Sequence, residues 1–96
     1  MRLDQRTRDE IREAAKRFFG ADVYLFGSRT DETRRGGDID LYIESALSPE
    51  ESVRARLSML ALLYRRIGER RIDLVVNTGW RHEPIFDVAK REGLKL

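Results

Sequence analysis

The stretch from Asp38 to Glu44, DIDLYIE, constrains the fold of this chain more than any other part of its sequence. Its residues alternate strictly, so Ile39, Leu41 and Ile43 face one way while the acidic residues and a tyrosine face the other. Such alternation is typical of a strand with one buried face and one polar face. The chain is therefore predicted to contain a sheet with one face packed on a hydrophobic core.

Two aspartates, Asp38 and Asp40, lie on the polar face of this strand, with Cα atoms roughly 6.5–7 Å apart. Carboxylates at this spacing can converge on one hard divalent cation such as Mg²⁺, which prefers oxygen ligands. A third carboxylate, Asp73, stands between Ile72 and Leu74 in a later strand-like run. If the two strands are neighbours, the three aspartates can share one face and hold two metal ions, as in displacements at phosphorus.

Patterns along the rest of the chain predict helices that alternate with strands. Periodicity and cap residues give a helix over 4–19, a strand over 22–26, the strand over 38–44, a helix over 48–67, a strand over 70–77, a helix over 83–91 and a short strand at 94–96. This order predicts an α/β or α+β domain, a small mixed sheet with helices packed on it, over residues 1–96. The two earlier strands can pair antiparallel, and the long helix can cross over to a parallel neighbour.

The helix that follows Ser48 has the strongest start signal in the chain, with serine at the N-cap, Pro49 at the first helical position and Glu51 closing a capping box. Its apolar residues at helical spacing are predicted to form the core, although the same surface could extend to a partner; they are Val53, Leu57, Leu60, Ala61, Tyr64 and Ile67. Trp80 could stack on a base, but an aromatic residue at a strand-to-helix junction is more often part of the core, and Trp80 is predicted to cover it.

A glycine-serine pair, Gly27 and Ser28, follows the first predicted strand. Glycine lets the backbone approach a ligand closely, and amide groups at such a turn can cradle phosphate oxygens. The Ser28 hydroxyl can reach the same oxygens, and Arg29 can neutralise triphosphate charge. These three residues are candidate nucleotide-binding residues.

The composition excludes several classes of protein. The 96 residues contain no cysteine, which excludes disulfides and thiolate metal sites and fits a cytoplasmic location. No signal-like or membrane-spanning apolar run is visible. The net charge of +2 is too small to indicate nucleic-acid binding by itself, so direct binding of RNA or DNA through the arginine clusters is the least favoured interpretation.

The combined pattern GSR…GGDIDLYI resembles the signature of the DNA polymerase beta-like nucleotidyltransferase superfamily, in which a strand, Gly-Ser, a loop and Asp-x-Asp follow one another. RIDLVV stands where that family carries its third carboxylate, so the resemblance covers most of the chain. The small size is most similar to the minimal nucleotidyltransferases, the antitoxin partners of HEPN-domain toxins. Nine residues separate Ser28 from Asp38, one fewer than the family more often shows.

The resemblance implies the nucleotidyltransferase fold and transfer of AMP from ATP to a hydroxyl. It implies that Asp38 and Asp40 hold two Mg²⁺ ions, and that Asp73 binds one of them and helps to deprotonate the attacking hydroxyl. Gly27 and Ser28 would hold the phosphates. The acceptor is expected to be a tyrosine of a HEPN RNase toxin, in a hetero-oligomer. The alternative is a non-catalytic antitoxin that neutralises the toxin by binding alone.

Overall fold

The computed structural model describes residues 3–27, 39–68, 71–80 and 82–96. The described residues form, in chain order, α1 (Gln5–Phe19), β1 (Val23–Phe26), β2 (Ile39–Glu44), α2 (Pro49–Ile67), β3 (Ile72–Asn77), α3 (Pro84–Glu92) and β4 (Leu94–Lys95). The predicted order of helices and strands is confirmed, with shifts of one or two residues at several ends, where assignments usually differ.

The strands form one mixed sheet in the order β3-β2-β1-β4. β1 pairs antiparallel with β2 and with β4, whereas β2 pairs parallel with β3. The parallel pair requires a crossover, and α2 supplies it. The structure therefore confirms an α+β domain with helices on a small mixed sheet, and it settles the β2–β3 neighbourhood that the sequence left open.

The core lies between the sheet and the first two helices. Residues that alternate along β2, namely Ile39, Leu41 and Ile43, are fully buried there, as the strict alternation of this strand predicts. A smaller cluster on the opposite face joins Tyr42 to Phe86 of α3. Thus α1 and α2 cover one face of the sheet, and α3 covers part of the other.

Helix α2 begins as predicted but buries a different face. The Ser48 hydroxyl accepts from the Glu51 backbone N–H at 3.1 Å, and the Glu51 carboxylate accepts from the Ser48 N–H at 3.2 Å. The side chains that it packs against the core include Ala55, Met59, Leu60 and Leu63. Of the stripe predicted as core, Leu60 is buried and Ile67 packs against the core, but Val53, Leu57, Ala61 and Tyr64 are exposed. The prediction was wrong for these four residues because α2 has two apolar faces, and the face that packs against the sheet is the one that carries Met59 and Leu63.

The prediction that Trp80 covers the core was also wrong, because 75% of this residue is exposed. It lies in the turn after β3, outside both core clusters. No helix in the described parts of the chain is both long and apolar enough to cross a membrane.

Candidate active site

Two of the predicted site residues, Asp40 and Asp73, lie side by side on neighbouring strands. The parallel register of β2 and β3 pairs Asp40 with Asp73, between the Ile39–Ile72 and Leu41–Leu74 pairs. Neighbouring strands are about 4.8 Å apart, and paired residues of a sheet point to the same face. Both carboxylates therefore project from the face opposite to α1 and α2, on the side that α3 partly covers.

The surroundings of the two carboxylates differ. Asp40 is half-buried on β2, which has a strand on each side, and it pairs across the sheet with Phe26 of β1. Asp73 is exposed on β3, the terminal strand of the sheet. Like charges directly opposite each other on neighbouring strands oppose folding. A shared ligand of positive charge would relieve this repulsion.

Gly27, the residue after β1, lies against the Asp40 carboxylate. It has φ +75°, and a Cβ at this position would overlap Oδ2 of Asp40 and lie 3.1 Å from its Cγ. A left-handed φ and a close approach both favour glycine. The described structure thus assigns Gly27 a task that the sequence did not suggest, which is to leave room for the Asp40 carboxylate.

The remaining predicted site residues, Ser28, Arg29 and Asp38, lie outside the described residues. Their predicted tasks in phosphate and metal binding stay predictions. That all three aspartates meet at one point also stays a prediction, because the structure describes only the pairing of Asp40 with Asp73.

The chemistry of the described pair suits a hard divalent cation. Two carboxylates in register, one of them open to solvent, offer the oxygen ligands that Mg²⁺ takes together with substrate phosphates. Among the residues that the structure describes, no three acidic, histidine or cysteine side chains gather into a metal-binding group. Asp40 and Asp73 therefore supply ligands of the right chemistry for a divalent cation but not a complete set, and Asp38 is predicted to be a further ligand.

A polar network around the buried Tyr42 lies on the same face, farther along the strands. The Tyr42 hydroxyl donates to Oε2 of Glu44 at 3.0 Å and accepts from Nδ2 of Asn77 at 3.1 Å. Lys90 of α3 places Nζ 3.5 Å from the same Glu44 oxygen. Burial raises the pKa of the Tyr42 hydroxyl above its ordinary value.

Sequence reasoning missed this network, although one half of it was visible. Tyr42 and Glu44 are two residues apart on one strand and therefore share a face. The contribution of Asn77 depends on the register between β2 and β3, which pairs it with Glu44 and which no local pattern fixes. Within this network, the Lys90–Glu44 contact is the one that joins α3 to β2.

An α+β domain whose mixed sheet carries paired carboxylates on its partly covered face belongs to the class of domains suited to transfer at phosphorus. A family model described as nucleotidyltransferase domain matches residues 8–93, which is most of the chain. The chain belongs to this nucleotidyltransferase domain family, which confirms the resemblance to the polymerase beta-like superfamily. Domains of this family generally transfer nucleotidyl groups and use a nucleoside triphosphate with a divalent metal. A search of curated proteins found no match to the chain.

Proposed function

We propose that this protein transfers AMP from ATP to a tyrosine hydroxyl of a partner HEPN-domain RNase toxin and so acts as the antitoxin of the pair. The observation that carries the proposal is the register that places Asp40 beside Asp73 on an accessible face of the sheet. Membership of the nucleotidyltransferase family supports the reaction class. The choice of acceptor rests on the resemblance of the Gly-Ser and Asp-x-Asp motifs to the minimal nucleotidyltransferase antitoxins.

Access to Asp73 supports an acceptor that arrives on another macromolecule. Asp73 is exposed on the terminal strand and projects from the face that α3 only partly covers, so a side chain presented by a partner can approach it from that face. Asp40 is more enclosed, between β1 and β3. This asymmetry supports placing the acceptor side of the site at Asp73 and the nucleotide side at Asp40 and Gly27.

The proposed reaction forms a bond between the tyrosine oxygen and the α-phosphorus of ATP, and it breaks the bond from that phosphorus to the bridging oxygen. Pyrophosphate leaves, and the hydroxyl proton passes to the Asp73 carboxylate and then to water. Asp38, Asp40 and Asp73 would hold the divalent ions, which when bound supply positive charge to the triphosphate. Gly27, Ser28 and Arg29 would hold the phosphates.

The decisive experiment mixes the purified protein, its proposed HEPN-domain toxin, Mg²⁺ and ATP labelled at the α-phosphate. We expect label on a toxin tyrosine, and none when the label is at the γ-phosphate. Loss of a group that merely orients a metal ligand costs 10–100-fold. Asp73→Asn and Asp40→Asn should therefore lower the rate by at least about 100-fold.

The matched control is Asp87→Asn, which makes the same change at an exposed aspartate of α3 that pairs with His82. It should retain wild-type transfer. Because Asp73 is exposed, Asp73→Asn should fold normally, which thermal unfolding can verify. If the toxin carries no label, or if Asp73→Asn labels it as much as the wild-type protein does, the proposed transferase activity is excluded. If that variant still silenced the RNase, neutralisation by binding alone would be the function.

A further inference from the structure

Helix α3 crosses the strands of the sheet instead of running along them. Its N-terminal end lies beside β3, because Glu83 and Phe86 line one groove together with Val75. Its C-terminal end lies over β1, because a Cβ at Gly93 would stand 3.0 Å from Cβ of Tyr24. Since β2 and β3 are parallel, α3 has one flank toward their carboxyl ends and the other flank toward their amino ends.

A salt bridge shows which residues of α3 are on which flank. Nζ of Lys90 lies 3.5 Å from Oε2 of Glu44, the last residue of β2, so Lys90 is on the flank toward the carboxyl ends. Ile85 precedes Lys90 by five residues, which places the two about 140° apart around the helix axis. The buried residues Phe86 and Ala89 lie between them on this helical wheel. Ile85 is therefore on the opposite flank, toward the amino ends of the strands.

The carboxylate pair of the candidate active site lies on the same side as Ile85. Tyr42 and Val75 pair in register, and the Phe86 ring packs on them, with its centroid 6.0 Å from that of Tyr42. Helix α3 thus lies over this pair. The two site carboxylates precede these residues by two positions on each strand, which is roughly 6.5–7 Å toward the amino ends. They therefore begin just beyond the flank of α3 that carries Ile85.

The two flanks of α3 differ in chemistry. The flank toward the carboxyl ends carries Lys90 and Asp87, which are both in salt bridges. The flank toward the carboxylates carries Ile85, which is 41% exposed, and one turn later the half-buried Val88. These two residues are here called the α3 shelf. The charged residue on the shelf's own flank, Glu92, is at the β1 end of the helix.

An apolar shelf beside two carboxylates has two physical consequences. A lysine or arginine in place of Ile85 would pair with the carboxylates and compete with a divalent cation, whereas isoleucine leaves both charges available. Covering the exposed part of Ile85 is favourable when a ligand does so with an apolar group. An aromatic ring that carries a hydroxyl combines the two properties, because its face is apolar and its tip is polar.

We propose that the α3 shelf receives the aromatic ring of the acceptor and makes the site selective for tyrosine over serine and threonine. This inference rests on the proposed transfer of AMP to a hydroxyl. Ile85 is at the β3 end of α3, and β3 carries Asp73, so the ring rests on Ile85 when its hydroxyl meets the Asp73 carboxylate. Serine and threonine have no ring to cover the shelf. The adenine ring of ATP belongs to the nucleotide side, beyond Asp40.

Transfer of label from ATP to the toxin tests this selectivity, with the modified tyrosine either retained or replaced by serine. Ile85→Ala should raise KM for the tyrosine-containing toxin about tenfold, because an apolar contact is lost. It should leave kcat and the KM for ATP unchanged, because the ring makes this contact before and during the reaction alike. The preference for tyrosine over serine in kcat/KM should fall by the same factor. Ile85→Leu keeps the apolar surface and should resemble the wild type.

The matched control is Leu94→Ala. Leu94 is 42% exposed, close to the exposure of Ile85, but it pairs with the buried Leu25 and so belongs to the opposite face of the sheet. This variant should keep the wild-type KM and the wild-type preference for tyrosine. Thermal unfolding verifies that both alanine variants fold. A wild-type KM for the tyrosine-containing toxin in Ile85→Ala, or a raised KM for ATP in its place, would overturn the proposal.

A second measurement requires neither ATP nor the toxin. Methyl NMR of the full chain follows its isoleucines while N-acetyltyrosinamide is added in the presence of Mg²⁺. We expect a ring-current shift at Ile85 and none at Ile11, which is fully buried in the core. N-acetylserinamide and adenosine should leave Ile85 unshifted. No shift with the tyrosine compound, or a larger shift with adenosine, would contradict the shelf. If Ile85 shifts as expected but the toxin is never labelled, the transferase fails and the tyrosine-binding shelf stands.

Discussion

The two faces of the sheet are made from alternate residues of the same strands, yet their chemistry differs. Toward α1 and α2, β2 presents Ile39, Leu41 and Ile43, all fully buried in an apolar cluster. Toward α3 it presents Asp40, Tyr42 and a glutamate, of which Tyr42 alone is buried. One face holds the strands in register, and the other uses that register to bring two carboxylates together. The carboxylate pair is thus positioned by packing in which it takes no part.

The largest expected change in stability comes from the apolar face. Leu41→Ala removes a side chain with no solvent exposure from the centre of the core and should lower the free energy of unfolding by about 2–5 kcal/mol. Asp73→Asn, on the neighbouring strand β3 and the opposite face of the sheet, supplies the contrast, because it removes one of two like charges and should leave stability equal or slightly higher. Urea unfolding of both variants measures the difference. A stability loss in Asp73→Asn comparable to that of Leu41→Ala would refute the separation of structural and chemical faces.

Whether the sequence predicts which residues face the core depends on the periodicity of each helix and strand. β2 alternates strictly, so both of its faces follow from the sequence alone, including the shared face of Asp40 and Tyr42. α2 carries two apolar faces, and helical periodicity cannot decide which one meets the sheet. The prediction that Val53 and Leu57 belong to the core is therefore wrong, because the fold leaves them exposed.

The other features that the sequence does not predict depend on contacts between segments that are distant in the chain. The overlap that Gly27 avoids with Asp40 depends on the antiparallel register of β1 and β2, which sets Phe26 opposite Asp40. The pairing of Asp40 with Asp73 depends on a crossover whose direction no local pattern determines. Motif spacing could place these residues on strands, but not beside one another.

A smaller effect is expected at the point where the backbone meets the site. Gly27→Ala places a Cβ against the Asp40 carboxylate at a positive φ. The backbone strain alone should cost about 1–2 kcal/mol. Gly20→Ala is the matched control, because Gly20 also has a positive φ, +61°, but nothing lies within 4 Å of its added Cβ. We expect both variants to lose stability, Gly27→Ala the more, and Gly27→Ala alone to lose transfer activity. Equal losses of stability and intact transfer in both would show that the Asp40 contact is unimportant.

The smallest of these effects concerns the polar network under α3. Tyr42→Phe removes a hydroxyl that donates to Glu44 and accepts from Asn77, and it should lower the free energy of unfolding by about 1 kcal/mol. Tyr24→Phe, at the cross-strand neighbour of Tyr42, controls for loss of a tyrosine hydroxyl on the same face. If the network anchors α3, hydrogen exchange in Tyr42→Phe should rise in α3 and remain unchanged in α1 and α2. If hydrogen exchange rises equally in all three helices, the two faces of the sheet unfold as one unit. The faces would then differ in the chemistry of their side chains but not in their local stability.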